Sequence, residues 1–347
     1  MIDFNPIEEA KSLFKKNLQK GKILSLKELD LKIEEDDELN LSRNLLKKWY
    51  LTINSMSFLP PLLNIEEIFI HSPSHIVIKN AVNESPLDTD LTKDDLLMIC
   101  EILAQKNNLH WNYTTPFASF YSEIQGVKVR VSMIHYSATP NSQSKIFIRI
   151  LNNTIIPLES YNTNNKLFKK IIQEKKNILI AGATASGKTT FTNTLINQIS
   201  PDEHIIIIED TQELMSNGST STRLLCDPNN QNKSMNHYLS YSLRMSPERI
   251  ILGEIRGKEA ESSLLAMNTG HNGFISTIHA NSAHESLHRL ALLFKIYSSK
   301  DLPFEVVLKL ITSNIDYVVF LENKKIKNII EVYGNNKDTI LFEEIAA

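Results

Sequence analysis

The feature that most limits the fold of this chain is a glycine-containing turn between an apolar segment and a helix-forming segment. Residues 177–181 predict a buried strand, and residues 189–199 predict a helix. The turn between them reads GATASGKTT and fits the pattern G-x-x-x-x-G-K-[ST]. In this arrangement, backbone amides and a helix N-terminus hold phosphate groups. We therefore predict a nucleotide site formed by Gly182, Ala183, Thr184, Ala185, Ser186, Gly187, Lys188, Thr189 and Thr190.

Two side chains of this turn have predicted chemical roles. Lys188 is expected to neutralise oxygens of the β- and γ-phosphates. Thr189 is expected to ligate Mg²⁺ through its hydroxyl group. The turn therefore predicts a nucleoside triphosphate and Mg²⁺ as ligands.

A phosphate turn that binds a nucleoside triphosphate and Mg²⁺ also requires carboxylates at the ends of neighbouring strands. These carboxylates hold the water shell of the metal and orient the attacking water. The run HIIIIED ends in Glu209 and Asp210, and the run RIILGE ends in Glu254. Gly253 stands where many such enzymes have aspartate, so Glu254 is predicted to be the ligand of a Mg²⁺-bound water or the base. Glu209 is the other candidate for both roles. Alternatively, either carboxylate caps a helix or pairs with an arginine such as Arg256. Arg256 is itself predicted to contact the nucleotide.

Histidines flank the next apolar run, FISTI, in residues 269–281. If this run is a parallel strand of the same sheet, His279 emerges at the edge that carries the phosphate turn. We predict that His279 senses phosphate and that His271, in the preceding loop, also contacts the nucleotide. His284 and His288 are four residues apart on the next predicted helix, which permits a zinc pair but also an ordinary solvated helix face.

Strand and helix patterns divide the chain into segments of different character. After residue 166, apolar runs alternate with helix-period segments, which predicts a parallel sheet with crossover helices. Earlier, short apolar runs and one helix-period segment predict a small α+β domain. The predicted segments are a charged helical arm at 1–58, the α+β domain at 59–155, a linker at 156–165 and the α/β domain at 166–347.

The predicted arm has an uneven charge distribution. Residues 11–27 contain six lysines and no acid, whereas residues 28–38 contain seven acids and one lysine. Such opposed charges are typical of solvated helices that fold against themselves or a partner. Because Leu13, Phe14 and Leu18 share one face, contact with anionic lipid is the alternative.

Bulk composition excludes several classes of protein. The formal charge of −3 and the pI of about 6.4 give no overall basic field, so duplex nucleic acid is not favoured as the main partner. Cys100 and Cys226 lack zinc or redox spacing and are expected to be reduced thiols. The acidic start has no apolar signal core, and no run of about 18 uncharged apolar residues occurs, so we expect neither export nor membrane spanning.

Four stretches together carry a family resemblance. They are GATASGKTT, IIIIEDTQEL, SLRMSPERIILGEIRGKEA and NTGHNGFISTIHANSAHESLHRL, in that order. They resemble the Walker A, acidic box, Walker B and histidine box of the type II/IV secretion ATPases. The likeness is greatest to the traffic ATPases of type IV secretion and conjugal transfer, the VirB-eleven and TrbB class.

This resemblance implies a RecA-like P-loop ATPase domain with a smaller N-terminal α+β domain that is PAS-like. It implies a homohexameric ring that binds ATP and Mg²⁺ and converts hydrolysis into domain movement for secretion or conjugative transfer. The implied partners are inner-membrane channel components and a coupling ATPase at the cytoplasmic face of the inner membrane. Peripheral membrane association is compatible with this placement, and specific nucleic-acid binding is not expected. Pilus assembly or retraction, or a nucleotide-switched scaffold with incidental turnover, stay as alternatives.

A fainter resemblance covers the predicted α+β domain, in LNIEEIFIHSPSHIVIKN, PFASFYSEIQGVKVRVSM and KIFIRI. It implies that Arg149 is an arginine that contacts phosphate. The companion arginine of the family falls on Lys128 here, with Arg130 two residues further on. Lysine keeps the charge but lacks the bidentate fork of arginine, so either side chain stays a candidate for this contact.

Overall fold

The computed structural model of the protein describes residues 6–31, 39–80, 82–151, 155–161, 163–216, 218–227 and 230–345. Residues 32–38 of the predicted acidic segment and residue 162 of the predicted linker lie outside the described residues. The chain divides into two compact units, residues 1–152 and 153–347.

Helices and an antiparallel sheet make up the described part of the first unit. Its helices are α1 (Pro6–Leu18), α2 (Leu26–Asp30), α3 (Leu39–Ser55) and α4 (Lys93–Lys106). Its strands are β1 (Glu67–Ser72), β2 (His75–Lys79), β3 (Glu84–Leu87), β4 (Phe117–Ile124), β5 (Val127–Ile134) and β6 (Lys145–Ile150). They lie in the order β3-β2-β1-β6-β5-β4, and each neighbouring pair is antiparallel.

Alternate residues of these strands form the core of the first unit. Ile68 and Ile70 of β1 and Val129 and Val131 of β5 are fully buried, and the residues between them are only partly buried. This period of two places apolar side chains on one face of the sheet, where the helices cover them. The opposite face carries the charged residues of the strands.

Helix α1 belongs to this core and does not stand apart as a solvated arm. Ala10, Phe14 and Leu18 are at most 2% exposed. The ring of Phe14 packs edge-on against Trp49 and Tyr50 of α3, at centroid distances of 5.6 and 6.2 Å. Because its apolar face is buried inside the unit, α1 has no such face to offer to lipid, which removes the basis of the lipid alternative for this helix.

The second unit contains alternating strands and helices followed by an antiparallel meander. Its helices are α5 (Asn165–Gln173), α6 (Lys188–Ile196), α7 (Met235–Ser242), α8 (Glu259–Asn268), α9 (Ala283–Tyr297) and α10 (Phe304–Thr312). Its strands are β7 (Ile178–Gly182), β8 (Ile205–Glu209), β9 (Thr222–Leu225), β10 (Arg249–Leu252), β11 (Ile275–Ile278), β12 (Tyr317–Glu322), β13 (Lys325–Asn336) and β14 (Thr339–Ile345).

These strands form one sheet in the order β14-β13-β12-β7-β11-β10-β8-β9. All pairs from β12 to β9 are parallel, which confirms the predicted parallel sheet. The pairs β12–β13 and β13–β14 are antiparallel. Helices cover both faces. In β7, for example, Leu179 and Ala181 enter one apolar cluster, and Ile178 and Ile180 enter another. This two-sided burial explains why the strands read as unbroken apolar runs.

Parallel pairing also decides where the functional loops lie. Because β7, β8, β10 and β11 run in the same direction, their carboxyl ends meet at one edge of the sheet.

Within the described residues, no helix has both the length and the apolar character that crossing a bilayer requires.

Candidate active site

The phosphate turn connects β7 to α6 in a conformation that requires its glycines. A Cβ atom on Gly182 would lie 2.5 Å from both Leu321 O and Ser186 Oγ. Gly187 has a φ of +95°, a left-handed conformation that side chains rarely adopt, and directly precedes α6. Ala183, Thr184 and Ala185 form the exposed crest of the turn. The turn therefore presents backbone and the start of α6 to solvent at the carboxyl edge of the sheet.

Lys188 lies against the inner side of this turn. Its side chain is buried, and Nζ donates hydrogen bonds to Gly182 O at 2.9 Å and Ala183 O at 2.7 Å. Nζ is also 3.4 Å from His279 Nδ1. The ammonium group is thus placed where the turn curves around it, next to the end of β11.

The turn also passes a direct test of whether it fits a phosphate group. Ser186 is 5% exposed, and its hydroxyl oxygen has no hydrogen-bond partner within the described residues. Buried hydroxyls are normally bonded, so an unpartnered one inside a phosphate turn fits a ligand that carries acceptor oxygens. Thr189 and Thr190 follow in the first turn of α6.

Glu254 and His279 meet at the ends of β10 and β11. His279 Nε2 is 3.0 Å from Glu254 Oε1, and the Glu254 side chain is only 14% exposed. Burial lowers the pKa of His279, an effect that Glu254 opposes and Lys188 reinforces. Because an ammonium group only donates, the contact with Lys188 makes Nδ1 the acceptor, and Nε2 is then the nitrogen that lies against Glu254. Lys188, His279 and Glu254 are therefore joined in one line of contacts.

Arg256 extends this line to a second strand end. Its Nη2 donates to Glu254 Oε2 at 2.7 Å, and its Nη1 donates to Asp210 Oδ2 at 3.2 Å. Asp210 directly follows β8, the parallel neighbour of β10. The structure thus brings together Lys188, His279, Glu254, Arg256 and Asp210.

Glu209 faces a different group of atoms. Its side chain is 3% exposed, its Oε2 accepts from the backbone amides of Glu213 and Leu214 at 2.8 Å each, and its Oε1 is 3.2 Å from Arg223 Nε. Burial raises the pKa of Glu209 to about 7, although the two amides and Arg223 act against this. These contacts direct Glu209 to the loop after β8, away from the line that ends in Glu254.

The structure places His271 away from the phosphate turn. This residue precedes β11, and β11 runs parallel to β7 with Ile275 opposite Ile178. A loop that enters a parallel strand lies at the amino edge of the sheet, whereas the phosphate turn lies at the carboxyl edge. His271 Nδ1 lies 3.2 Å from Thr269 Oγ1 in its own loop. His271 is therefore not part of the group around Lys188.

The second histidine pair forms aromatic contacts. The rings of His284 and His288 lie 4.7 Å apart, and they also contact Phe342 and Phe304 at 5.5 and 6.3 Å. Across the part of the chain that the structure describes, no three His, Cys, Asp or Glu side chains form a group that could hold a metal ion. A zinc ion bound by His284 and His288 would therefore lack a third protein ligand among the described residues.

The candidate cations of the first unit share one sheet face. Arg149 of β6 and Arg130 of β5 are cross-strand partners. Arg149 Nε is 3.5 Å from Glu67 Oε1, and Arg130 Nε donates to Ser119 Oγ at 3.5 Å. Lys128 lies two residues before Arg130 on the same face. Their contact with a nucleotide stays a prediction.

Sequence reasoning missed residues that support the site from neighbouring elements. Thr277 of β11 accepts from Ile255 N through its carbonyl group and donates to Gly253 O through its hydroxyl group, both at 2.8 Å, and so holds the chain on either side of Glu254. A threonine inside the apolar run FISTI was the available signal. Lys324 N donates to Ser186 O at 3.1 Å from the turn between β12 and β13, and no local motif marks that contact.

A known protein family, described as "Type II/IV secretion system protein", matches residues 119–319. This span is more than half of the chain and contains the phosphate turn, Glu254 and His279. The chain belongs to this family. The resemblance seen in the four sequence motifs is thereby confirmed.

Relatives within the type II/IV secretion family include proteins of type IV secretion and conjugation. The type IV secretion system protein PtlH of Bordetella pertussis is 41% identical over 159 residues, which are 44% of this chain and 47% of that protein. The conjugal transfer protein TrbB of Rhizobium radiobacter is 32% identical over 194 residues, 52% of this chain and 58% of that protein. The chain spans about half the length of the curated relatives it matches.

A solved structure shows a similar architecture. The pilus retraction motor PilT, determined with bound ADP, matches with a TM-score of 0.59 and 19% identity over 85% of this chain and 81% of that chain. This likeness shows a shared fold. The mixed α/β architecture of the chain is consistent with the RecA-like ATPase fold, and the PAS-like character of the first unit stays a prediction.

Proposed function

We propose that this secretion-family chain hydrolyses ATP in the presence of Mg²⁺. The observation that carries the proposal is the line of contacts from Lys188 through His279 to Glu254, beside the phosphate turn. A lysine at the phosphate turn and a carboxylate that can orient water are groups that phosphoryl transfer to water commonly uses. The imidazole between them is a common proton-transfer group.

Each residue of the group has a separate role in this proposal. The turn and Lys188 bind the phosphates, and Glu254 orients and deprotonates the attacking water. His279 contacts both Lys188 and Glu254, so a shift of Lys188 towards a terminal phosphate reaches Glu254 through the imidazole. Glu209 shapes the loop after β8, because its oxygens accept from that loop's own amides.

The residues present also fit a magnesium ion. The Thr189 hydroxyl, with Glu254 through water, would hold Mg²⁺, which would neutralise phosphate charge during transfer. Oxygen ligands of this kind are those that Mg²⁺ prefers.

Membership of the family supports a proposal for the wider role. We place the chain as a homohexameric motor that energises type IV secretion or conjugative transfer, next to inner-membrane channel components and a coupling ATPase at the cytoplasmic face. Support comes from the names of relatives such as PtlH and TrbB. The PilT likeness concerns the fold alone, so pilus retraction is the less supported alternative. Sedimentation with and without Mg·ATP tests the ring, and a monomer under both conditions contradicts it.

Phosphate release by the purified chain tests the proposed reaction. Glu254→Gln is expected to retain ATP affinity and to lower phosphate release by at least about a hundredfold, the usual contribution of a general base. Glu305→Gln is the matched control, because Glu305 is an exposed carboxylate on α10 and is expected to leave turnover unchanged. Parental turnover in Glu254→Gln contradicts the role of Glu254. ATP binding by the parent without any phosphate release favours the nucleotide-switched scaffold.

A further inference from the structure

Arg256 joins two carboxylates that follow adjacent strands. Its guanidinium contacts Glu254 through Nη2 and Asp210 through Nη1, at 2.7 and 3.2 Å. Strands β8 and β10 are parallel neighbours with Ile208 opposite Leu252, so Asp210 and Glu254 each lie two residues beyond the same register pair. The guanidinium therefore spans the gap between two strand ends.

The backbone that carries Arg256 is itself fixed. The amides of Arg256 and Gly257 both donate to Glu259 Oε1, the second at 2.7 Å. Glu259 is 9% exposed and lies in the first turn of α8. The backbone of Arg256 is therefore hydrogen-bonded to α8, and its guanidinium is hydrogen-bonded to Asp210. These contacts restrain both the backbone and the side chain of Arg256.

Arg256 provides the hydrogen bond that holds the Glu254 carboxylate. Oε2 accepts from Arg256, whereas Oε1 lies 3.0 Å from His279 Nε2 but has no hydrogen-bond partner within the described residues. Without the bond to Oε2, no hydrogen bond recorded in the described part of the chain would restrict rotation of this carboxylate about its side-chain bonds. The hydrogen bond to Glu254 also raises the pKa of Arg256, so the guanidinium stays charged.

An ordinary exposed ion pair is the competing explanation for this contact. Exposed pairs contribute little to stability, because solvent screens them and two long side chains must be ordered. Arg256 is 53% exposed, but Glu254 is only 14% exposed and belongs to the reacting group proposed above. A charge-assisted bond to a mostly buried carboxylate constrains geometry more than a bond between two solvated side chains.

We propose that Arg256 is a positioning residue, which sets the orientation of the Glu254 carboxylate by bridging it to Asp210. This inference rests on the proposed ATP hydrolysis. It replaces the sequence prediction that Arg256 contacts the nucleotide. The bridge between Glu254 and Asp210 requires the planar guanidinium of arginine, whose two terminal nitrogens contact one carboxylate each. Lysine has a single ammonium group that cannot span both carboxylates in the same way.

Steady-state kinetics separate positioning from nucleotide contact. Arg256→Gln is expected to lower kcat by about 10- to 100-fold, since small misplacement of a reacting group has effects of this size, while KM and ATP affinity stay within about twofold. Arg256→Lys is expected to recover only part of the loss. Asp210→Asn releases the far end of the bridge and is expected to lower kcat less. The double variant is expected to be no slower than Arg256→Gln, because both changes remove one bridge.

The matched control is Arg43→Gln. Arg43 of α3 pairs with Asp30 at 3.2 Å, with side chains 39% and 44% exposed, and this variant is expected to keep the parental kcat. Thermal unfolding of every variant checks that the fold is intact. If Arg256→Gln does not fold, the Arg256→Lys variant and the Asp210→Asn variant carry the test.

Three results overturn the inference, and each is distinct from failure of the proposed function. The first is a kcat of Arg256→Gln within twofold of the parent. The second is a loss of ATP affinity with kcat retained, which assigns Arg256 to the nucleotide. The third needs no turnover: the ¹⁵N resonance of His279 Nε2 is expected to shift in Arg256→Gln, and an unchanged resonance contradicts the inference. Absence of phosphate release from the parent itself contradicts only the proposed hydrolysis.

Discussion

At the residue scale, Glu209 shows how burial changes the chemistry of a carboxylate. The side chain is almost completely buried, and burial raises its pKa to about 7. The native state therefore keeps a proton that the unfolded chain releases above its ordinary pKa of 4.5. Protein stability falls as the pH rises through this interval, because the unfolded state loses its proton first.

Glu209→Gln tests this dependence, because glutamine keeps an oxygen for the two loop amides but does not ionise. The free energy of unfolding of the parent, relative to that of the variant, is expected to decrease between pH 5 and pH 8. The decrease is expected to be no more than about 3 kcal/mol, the limit set by a shift of this size. Urea unfolding at both pH values measures it. A difference between the two proteins that does not change with pH contradicts the raised pKa.

The sequence could not separate Glu209 from Glu254. Both follow isoleucine-rich strands that end at the same sheet edge, so the strand pattern does not show which of them is the base and which is not. The distinction depends on the loop after β8, whose amides of Glu213 and Leu214 turn back onto Glu209. Nothing in the local pattern specifies such a turn, whereas the phosphate turn is recognisable because its glycines and lysine have fixed spacing.

At the element scale, α1 illustrates a different limit of sequence reasoning. Its lysines suggested a solvated arm, but its apolar face is buried against α3. Phe14→Ala is expected to lower the free energy of unfolding by about 3–5 kcal/mol, the usual cost of removing a buried aromatic ring. Leu41→Ala on α3 is the control, since Leu41 is 68% exposed and its truncation is expected to have little effect. Equal, small effects of both changes would restore the arm interpretation.

The strands of the second unit were predictable in proportion to their burial. β7, β8, β10 and β11 read as apolar runs because helices cover both faces of the sheet. The C-terminal meander was not predicted, since β13 and β14 alternate or are exposed and depend on pairing with β12. The position of His271 depends on strand direction: β11 runs parallel to β7, so the loop before β11 lies at the opposite edge of the sheet from the phosphate turn.

At the scale of the whole molecule, Arg149 tests whether the first unit takes part in turnover. Arg149→Ala is expected to leave ATP affinity close to parental and to slow phosphate release by about 10³-fold or more, the effect of losing an arginine that stabilises transferring charge. Binding and turnover are measured on the same preparation. Arg43→Gln, an exposed arginine of the same unit, is the control. Unchanged turnover in Arg149→Ala removes this residue from the reaction.

The family was recognisable from the sequence because four motifs occur in a fixed order and spacing. The remaining features are set by contacts between distant segments. The approach of Lys324 to Ser186 and the bridge from Arg256 to Asp210 each join residues separated by at least 46 positions. Contacts of this kind follow from the three-dimensional arrangement of the strands, so single-sequence patterns do not reveal them.

The most direct test of the account is an experimental structure of Glu254→Gln with bound Mg·ATP, since this variant is expected to bind ATP without hydrolysing it. We expect the terminal phosphate at the carboxyl edge of the sheet, within hydrogen-bond distance of Lys188 Nζ, with His279 beside it and residue 254 directed towards it. A nucleotide bound elsewhere, or His279 and residue 254 turned away from the phosphates, would rule out the proposed site.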